Sequence, residues 1–245
     1  MIHKAISLEV WQVKYNIENL IIDFDGTIVS VEIMEVLFEF ALENNTRKHE
    51  ILEMVRDITK KGMEGKIPFS ESLSRRISLL GSLNQQVLNN AAEYINSRVS
   101  PSFRKNVEFF RDELNTYVVS GGFTQVIYPV TDELGIPRDK VFANRLIFDG
   151  ENNLVGVDNS NLLAGDRGKV RLFRNLNLKG STAVVGDGFN DYELKLEGVA
   201  NYFFAYCEFV SRSDVMEKAD AVVYDFNELL GLISGAQPPL AKCGI

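Results

Sequence analysis

The sequence predicts an α/β fold: a doubly wound, Rossmann-like parallel sheet carrying a small inserted bundle of helices. Three observations lead there. The runs Leu20-Ile21-Ile22, Tyr117-Val118-Val119 and Ala183-Val184-Val185 are apolar at consecutive positions, as strands buried on both faces must be. Segments with apolar residues at helical spacing alternate with them, which is the pattern of a sheet covered by helices. Each run also ends in a polar cluster, and ligands of open α/β sheets gather outside the carboxyl ends of strands.

Residues 1–17 mix apolar and polar side chains around Trp11, the single tryptophan, and predict an edge strand or packing segment. The first buried strand ends in Asp23-Phe24-Asp25-Gly26-Thr27. Ile33, Val36, Leu37, Phe40 and Ala41 then place a helix within residues 31–45. A second helix over residues 48–62 carries Ile51, Leu52, Val55 and Ile58, a third runs from Phe69 to Leu80, and a fourth covers residues 84–97. No strand pattern interrupts this block, and Pro101 is read as closing it. The predicted division is therefore a core domain of residues 1–30 and 101–245 and a helical cap domain of residues 31–100. Within the second core segment come a helix around Phe103–Leu114 and a strand ending in Ser120-Gly121-Gly122. A helix from Thr124, a strand at residues 141–143 and a hairpin over residues 145–158 follow. A helix from Gly168 to Leu176 leads to the third strand, which ends in Gly186-Asp187-Gly188-Phe189-Asn190-Asp191. Short strands at 202–206 and 221–224, a helix from Phe226 to Ile233 and a Gly/Pro-containing tail complete the chain.

Composition narrows the function classes. The chain has 245 residues, 45% hydrophobic and 24% charged, the balance of a soluble globular protein. Its net charge of -8 argues against a nucleic-acid binder, which would show a basic face. Cys207 and Cys243 have no metal-type spacing and predict a reducing compartment. No long apolar stretch follows Met1, and no run approaches the roughly 20 residues of a membrane span, so no signal peptide and no membrane partner are expected and the cytoplasm is the predicted location.

In an extended segment, side chains at i and i+2 share a face, so Asp23 and Asp25 address one small site. Two close carboxylates repel unless a cation joins them or one takes a proton, and a hard divalent ion such as Mg2+ suits an all-oxygen donor set. A bare Asp-x-Asp is equally well a strand followed by an Asp-Gly turn, Ser-Gly-Gly alone is usually a turn, and a lysine at a helix start is usually solvated. Their conjunction in order, each beside a strand end, fits phosphoryl transfer, which depends on positioning and charge neutralisation. In that chemistry Asp23 is the nucleophile and Asp25 the acid and base. Ser120 and the backbone N–H groups of Gly121 and Gly122 cup phosphate oxygens, and Lys169 offsets charge. Asp187 helps hold the metal while Asn190 and Asp191 orient the site.

These residues resemble the haloacid-dehalogenase-type phosphatases. Asp23-Phe24-Asp25-Gly26-Thr27 matches the family's first motif, Ser120 its second, Lys169 its third and Gly186-Asp187-Gly188-x-Asn190-Asp191 its fourth. The resemblance implies Mg2+ held by Asp23, the Asp25 carbonyl and Asp187. The stretch from Asp57 to Arg76 is further similar to the cap of phosphoserine phosphatases, and the likeness runs from about Ile17 to Leu232. It implies that Glu32 binds a substrate amine, that Arg76 binds a substrate carboxylate, and that Met63 and Phe69 shield the site. O-phospho-L-serine carries an amine, a carboxylate and a phosphate, and so fits all three.

Three departures stand out. Gly26 replaces a frequent serine, and Phe189 replaces a small residue. In Asp166-Arg167-Gly168-Lys169 the lysine follows the glycine, so Arg167 is the alternative third-motif cation. The predicted function is a Mg2+-dependent phosphomonoesterase for phosphoserine, monomeric or homodimeric. Its rivals are hydrolysis of another small phosphate monoester, phosphotransfer to an acceptor alcohol, and a non-catalytic binding protein that has kept the fold.

Overall fold

The computed structural model describes residues 15–63, 66–81 and 83–234, without the side chains of Met63 and Ser234. Trp11, Cys243, the other residues of 1–14 and the tail from 235 onward lie outside the described residues.

The chain enters the sheet at β1 (Asn19–Asp23), and four helices follow: α1 (Ile33–Ala41), α2 (Lys48–Met63), α3 (Phe69–Leu79) and α4 (Gln85–Asn96). α5 (Pro101–Asp112) leads to β2 (Asn115–Phe123), α6 (Thr124–Glu133), β3 (Val141–Asn144) and a hairpin of β4 (Leu146–Phe148) and β5 (Leu154–Val157). Then come α7 (Gly168–Leu176), β6 (Thr182–Gly186), α8 (Phe189–Leu196), β7 (Tyr202–Tyr206), α9 (Ser213–Met216), β8 (Ala221–Val223) and α10 (Phe226–Ser234). Two sequence expectations shift. Pro101 opens a helix rather than closing the preceding block: it is the first residue of α5, capped by the Ser100 side chain, and proline's missing N–H costs nothing there. The last motif, read as a loop, is half helical, because Phe189 starts α8.

The six-stranded sheet has the order β3-β2-β1-β6-β7-β8 with every pairing parallel. The consecutive apolar positions of each strand divide between two cores. Leu20, Ile22, Val118, Val185 and Phe204 pack on one face with α1, α4, α5, α6 and α10. Ile21, Val119, Val184 and Phe203 pack on the other with Val170, Phe173 and Leu194 of α7 and α8. Period-two geometry applied to an all-apolar run produces this double burial. From β1 the chain builds outward through β2 and β3, then returns to lay β6 against the other side of β1. The carboxyl ends of β1 and β6 therefore flank the point where the winding reverses, the usual crevice of such sheets.

Helices α1–α4 leave and rejoin the sheet side by side. Val29 and Val99 form an antiparallel bridge, the Ser30 N–H donates to the Arg98 carbonyl at 3.0 Å, and the Ser100 N–H donates to the Ile28 carbonyl at 2.8 Å. Among the described residues, no helix is long and apolar enough to cross a membrane.

Candidate active site

Asp23 ends β1, and Asp187 and Asp191 follow β6, so adjacent parallel strands bring three carboxylates together. All three are buried, and one oxygen from each lies within 4.8 Å of the others. Glycine makes that approach possible. At Gly26, where φ is +71°, a Cβ would lie 2.7 Å from Asp187 Oδ2, and at Gly186 a Cβ would lie 2.3 Å from Asp191 Oδ2.

Lys169, the second residue of α7, inserts between two of these groups. Its Nζ donates to Asp23 Oδ1 at 2.6 Å and to Asp191 Oδ1 at 2.7 Å. Burial works against the ammonium, but the charges of Asp191 and Asp23 and their hydrogen bonds outweigh it and raise its pKa. Asp191 Oδ2 accepts the Gly188 N–H at 3.1 Å. Arg167 points elsewhere. It caps α7 in the left-handed conformation, φ 55°, and pairs with Glu193 on α8 and with Glu197 just after that helix.

Asp25 is tied down from both sides. Its Oδ2 accepts the Ile33 N–H at the start of α1 at 2.9 Å, and its Oδ1 accepts the Ser120 hydroxyl at 2.8 Å. Ser120 Oγ in turn accepts the Gly122 N–H at 2.8 Å. That donor, read from the sequence as one free for phosphate, is thus directed at Ser120. Burial raises the pKa of Asp25, against the opposing pull of these two hydrogen bonds. Burial, then the charge of Asp191, raises that of Asp23 well above the ordinary range in spite of Lys169. The Thr27 hydroxyl is fully buried and has no hydrogen-bond partner among the described residues.

The groups from the helical segment stand differently. Glu32 precedes α1 and is open to solvent, yet the protein around its carboxylate, and then the charges of Asp25 and Asp187, push its pKa up to about 7. Arg76 on α3 is half-buried. Its Nε donates to the Ser72 carbonyl at 3.3 Å, it forms no ion pair among the described residues, and burial lowers its pKa while the nearby charge of Glu32 opposes that. Phe69 begins α3, and its N–H reaches across to Asp166 Oδ1 at 2.8 Å. The Met63 side chain lies outside the described residues. Gly121 is exposed with its carbonyl accepting from Asn144, and Asn190 sits exposed on the first turn of α8, its side chain without a hydrogen bond to a described residue.

The structure gives one sequence-predicted residue a different place and adds one that the sequence did not suggest. Asp191 belongs to the carboxylate cluster itself rather than orienting it from outside. Arg212, in the loop after β7, donates through Nη1 to the Asp187 carbonyl at 2.8 Å and pairs with Asp187 Oδ2. The position of Asp191 three residues into a helix that starts at Phe189 was a readable signal; Arg212 carried none.

These carboxylates suit a metal ion. Asp23 Oδ2 and Asp187 Oδ1 accept no hydrogen bond from any described residue, while their companion oxygens are held by Lys169 and Arg212. Unbonded oxygens on neighbouring buried aspartates, with one oxygen of each residue within 4.8 Å of the others, make a donor set for a hard divalent cation.

A family model for haloacid dehalogenase-like hydrolases matches residues 20–194, and the chain belongs to that family. The chloroplastic phosphoserine phosphatase of Arabidopsis thaliana is 31% identical over 230 residues, which cover 91% of this chain and 73% of that protein. A phosphoserine phosphohydrolase-like protein from Francisella tularensis has a similar crystal structure, with a TM-score of 0.76 and 29% identity over 89% of this chain and 100% of that one. A phospho-aspartyl intermediate analogue of phosphoserine phosphatase aligns with a TM-score of 0.69 and 28% identity, over 89% of this chain and 100% of that one. Within its family the chain is thus a phosphoric monoester hydrolase of the phosphoserine-phosphatase-like kind.

Proposed function

We propose that this protein hydrolyses O-phospho-L-serine with Mg2+, passing the phosphoryl group through Asp23. One observation carries the reading. A buried, lysine-bridged carboxylate cluster with unbonded oxygens on Asp23 and Asp187 lies beside Glu32 and Arg76, the two groups that complement an amine and a carboxylate.

The Asp23 and Asp187 side chains and the Asp25 carbonyl would hold the ion, which neutralises charge on the phosphoryl oxygens. The Asp23 carboxylate attacks phosphorus through one of its oxygens as the bond from phosphorus to the serine oxygen breaks. Asp25, whose buried carboxyl keeps its proton to higher pH than an ordinary aspartate, gives that proton to the departing oxygen. Asp25 then takes a proton from water, which attacks phosphorus. The bond from Asp23 to phosphorus breaks, and inorganic phosphate leaves with both aspartates restored. Lys169 orients Asp23, and its charge favours the anionic carboxylate for the attack. Residues 31–100 act as a cap, and the paired strands at Val29 and Val99 are its hinge. Glu32 and Arg76 grip the amine and carboxylate, Arg76 with two parallel hydrogen bonds. Gly121, Asn190 and Phe69 line the phosphate and substrate walls.

Phosphate release should be measured on a panel of amino-acid and sugar phosphates, with and without Mg2+ and with homoserine as an acceptor. Phosphoserine hydrolysis that requires Mg2+ and outruns the panel is expected. Preference for another phosphate, or transfer to homoserine, would replace the substrate assignment, and no release from any of them would end it.

A further inference from the structure

The metal site has a counter-ion of its own. Asp23 and Asp191 share Lys169, and this leaves Asp187 to Arg212. Two cations thus face three carboxylates. The Lys169 side chain is 13% exposed and bridges two of them, whereas the Arg212 side chain is 39% exposed and holds Asp187 through Nη1 alone. Its Nε and Nη2 make no hydrogen bond with any described residue. A guanidinium has five N–H donors in a fork that matches carboxylate and phosphate in pairs. Arg212 uses one nitrogen, from a loop position open to solvent and within the field of Glu32 at the substrate side.

We propose that Arg212 is a displaceable counter-ion: it occupies Asp187 until a divalent cation arrives, and the freed guanidinium then binds the anionic groups of the substrate. The inference rests on the Mg2+ reading of the site above. Its physical basis is competition. A divalent ion on Asp187 repels a guanidinium a few ångströms away, and the single-nitrogen contact through which Arg212 holds on is the weaker of the two holds on the carboxylate cluster. Lys169, gripped by two buried carboxylates, stays. The metal therefore exchanges Arg212 from a carboxylate to the phosphate side, so that metal binds before substrate.

Calorimetric titration of Mg2+ into the wild type, R212Q and R212K tests this, with thermal melts to verify that each variant is folded. Loss of the competing charge should tighten Mg2+ binding about tenfold in R212Q, the order expected of one screened charge near the ion. R212K, which keeps the charge, should stay near the wild type. At saturating Mg2+, inorganic phosphate should bind R212Q several-fold more weakly. Mg2+ binding that is unchanged or weaker in R212Q would overturn displacement and make Arg212 a fixed support of Asp187; unchanged phosphate affinity would overturn its second role. Absence of Mg2+ binding in the wild type and R212Q alike would instead remove the metal reading itself.

Discussion

The floor of the site and the wall contributed by residues 31–100 are built in opposite ways. On the floor, Asp23, Asp25, Lys169 and Asp191 are each fixed by hydrogen bonds of 2.6–3.1 Å, on strand ends or first helical turns that pack on two apolar cores. On the wall, Glu32 makes no side-chain cap bond and Arg76 has only a 3.3 Å contact with its own helix. The groups proposed for the chemistry are bonded to one another or to backbone N–H groups, and those proposed for recognition are left largely unsatisfied. Preorganised charge is where catalysis gains most, while groups that read a substrate gain their partners only from it. This contrast predicts that substitutions on the floor change turnover, and that substitutions on the wall change the affinity for one substrate.

The sharpest division lies between two basic residues two positions apart. Lys169→Met should lower kcat by about 10^2–10^3-fold, the loss typical of one electrostatic stabiliser. Arg167→Gln, which breaks exposed pairs with Glu193 and Glu197, should leave kcat unchanged and cost at most about 1 kcal/mol in denaturant unfolding. A reversed outcome would put the third-motif charge on Arg167. On the wall, Arg76→Ala should raise the KM for phosphoserine by about 10–100-fold, the worth of charge-assisted hydrogen bonds. p-Nitrophenyl phosphate, which lacks a carboxylate, should be unaffected, and equal effects on both substrates would strip Arg76 of its reading role.

The smallest effect is one of pH. Burial, with Asp25 and Asp187, raises Glu32 from 4.5 to about 7, so the fold favours its protonated form. An amine needs the carboxylate, and the KM for phosphoserine should therefore rise several-fold as pH falls below about 7, with no such rise for p-nitrophenyl phosphate or in Glu32→Gln. By linkage, this residue's contribution to stability is present below pH 4.5 and lost as pH rises through about 7. A flat KM profile between pH 5.5 and 8 would separate Glu32 from the amine.

Much of the floor was legible in the sequence, because three of its four motifs follow runs that read as strands buried on both faces. β1, β2 and β6 carry Asp23, Ser120 and Asp187 to one edge by topology alone. The choice between Arg167 and Lys169 was less so. It depends on where α7 begins: positions two apart on a helix point about 200° apart, and Arg167 adopts a left-handed conformation before the helix starts. Ser120 and Gly122 form a closed pair through a strand irregularity between Val119 and Phe123 that no composition rule marks. Arg212 comes from a loop 25 residues beyond Asp187, and only the folded chain brings the two together.

The most direct measurement is a rapid acid quench of the enzyme turning over phosphoserine labelled in its phosphate, followed by peptide mapping. The account predicts label on the peptide at Asp23, absent from Asp23→Asn, whose turnover is lost while its melting profile is kept. Label on another residue, or full turnover by Asp23→Asn, would contradict it.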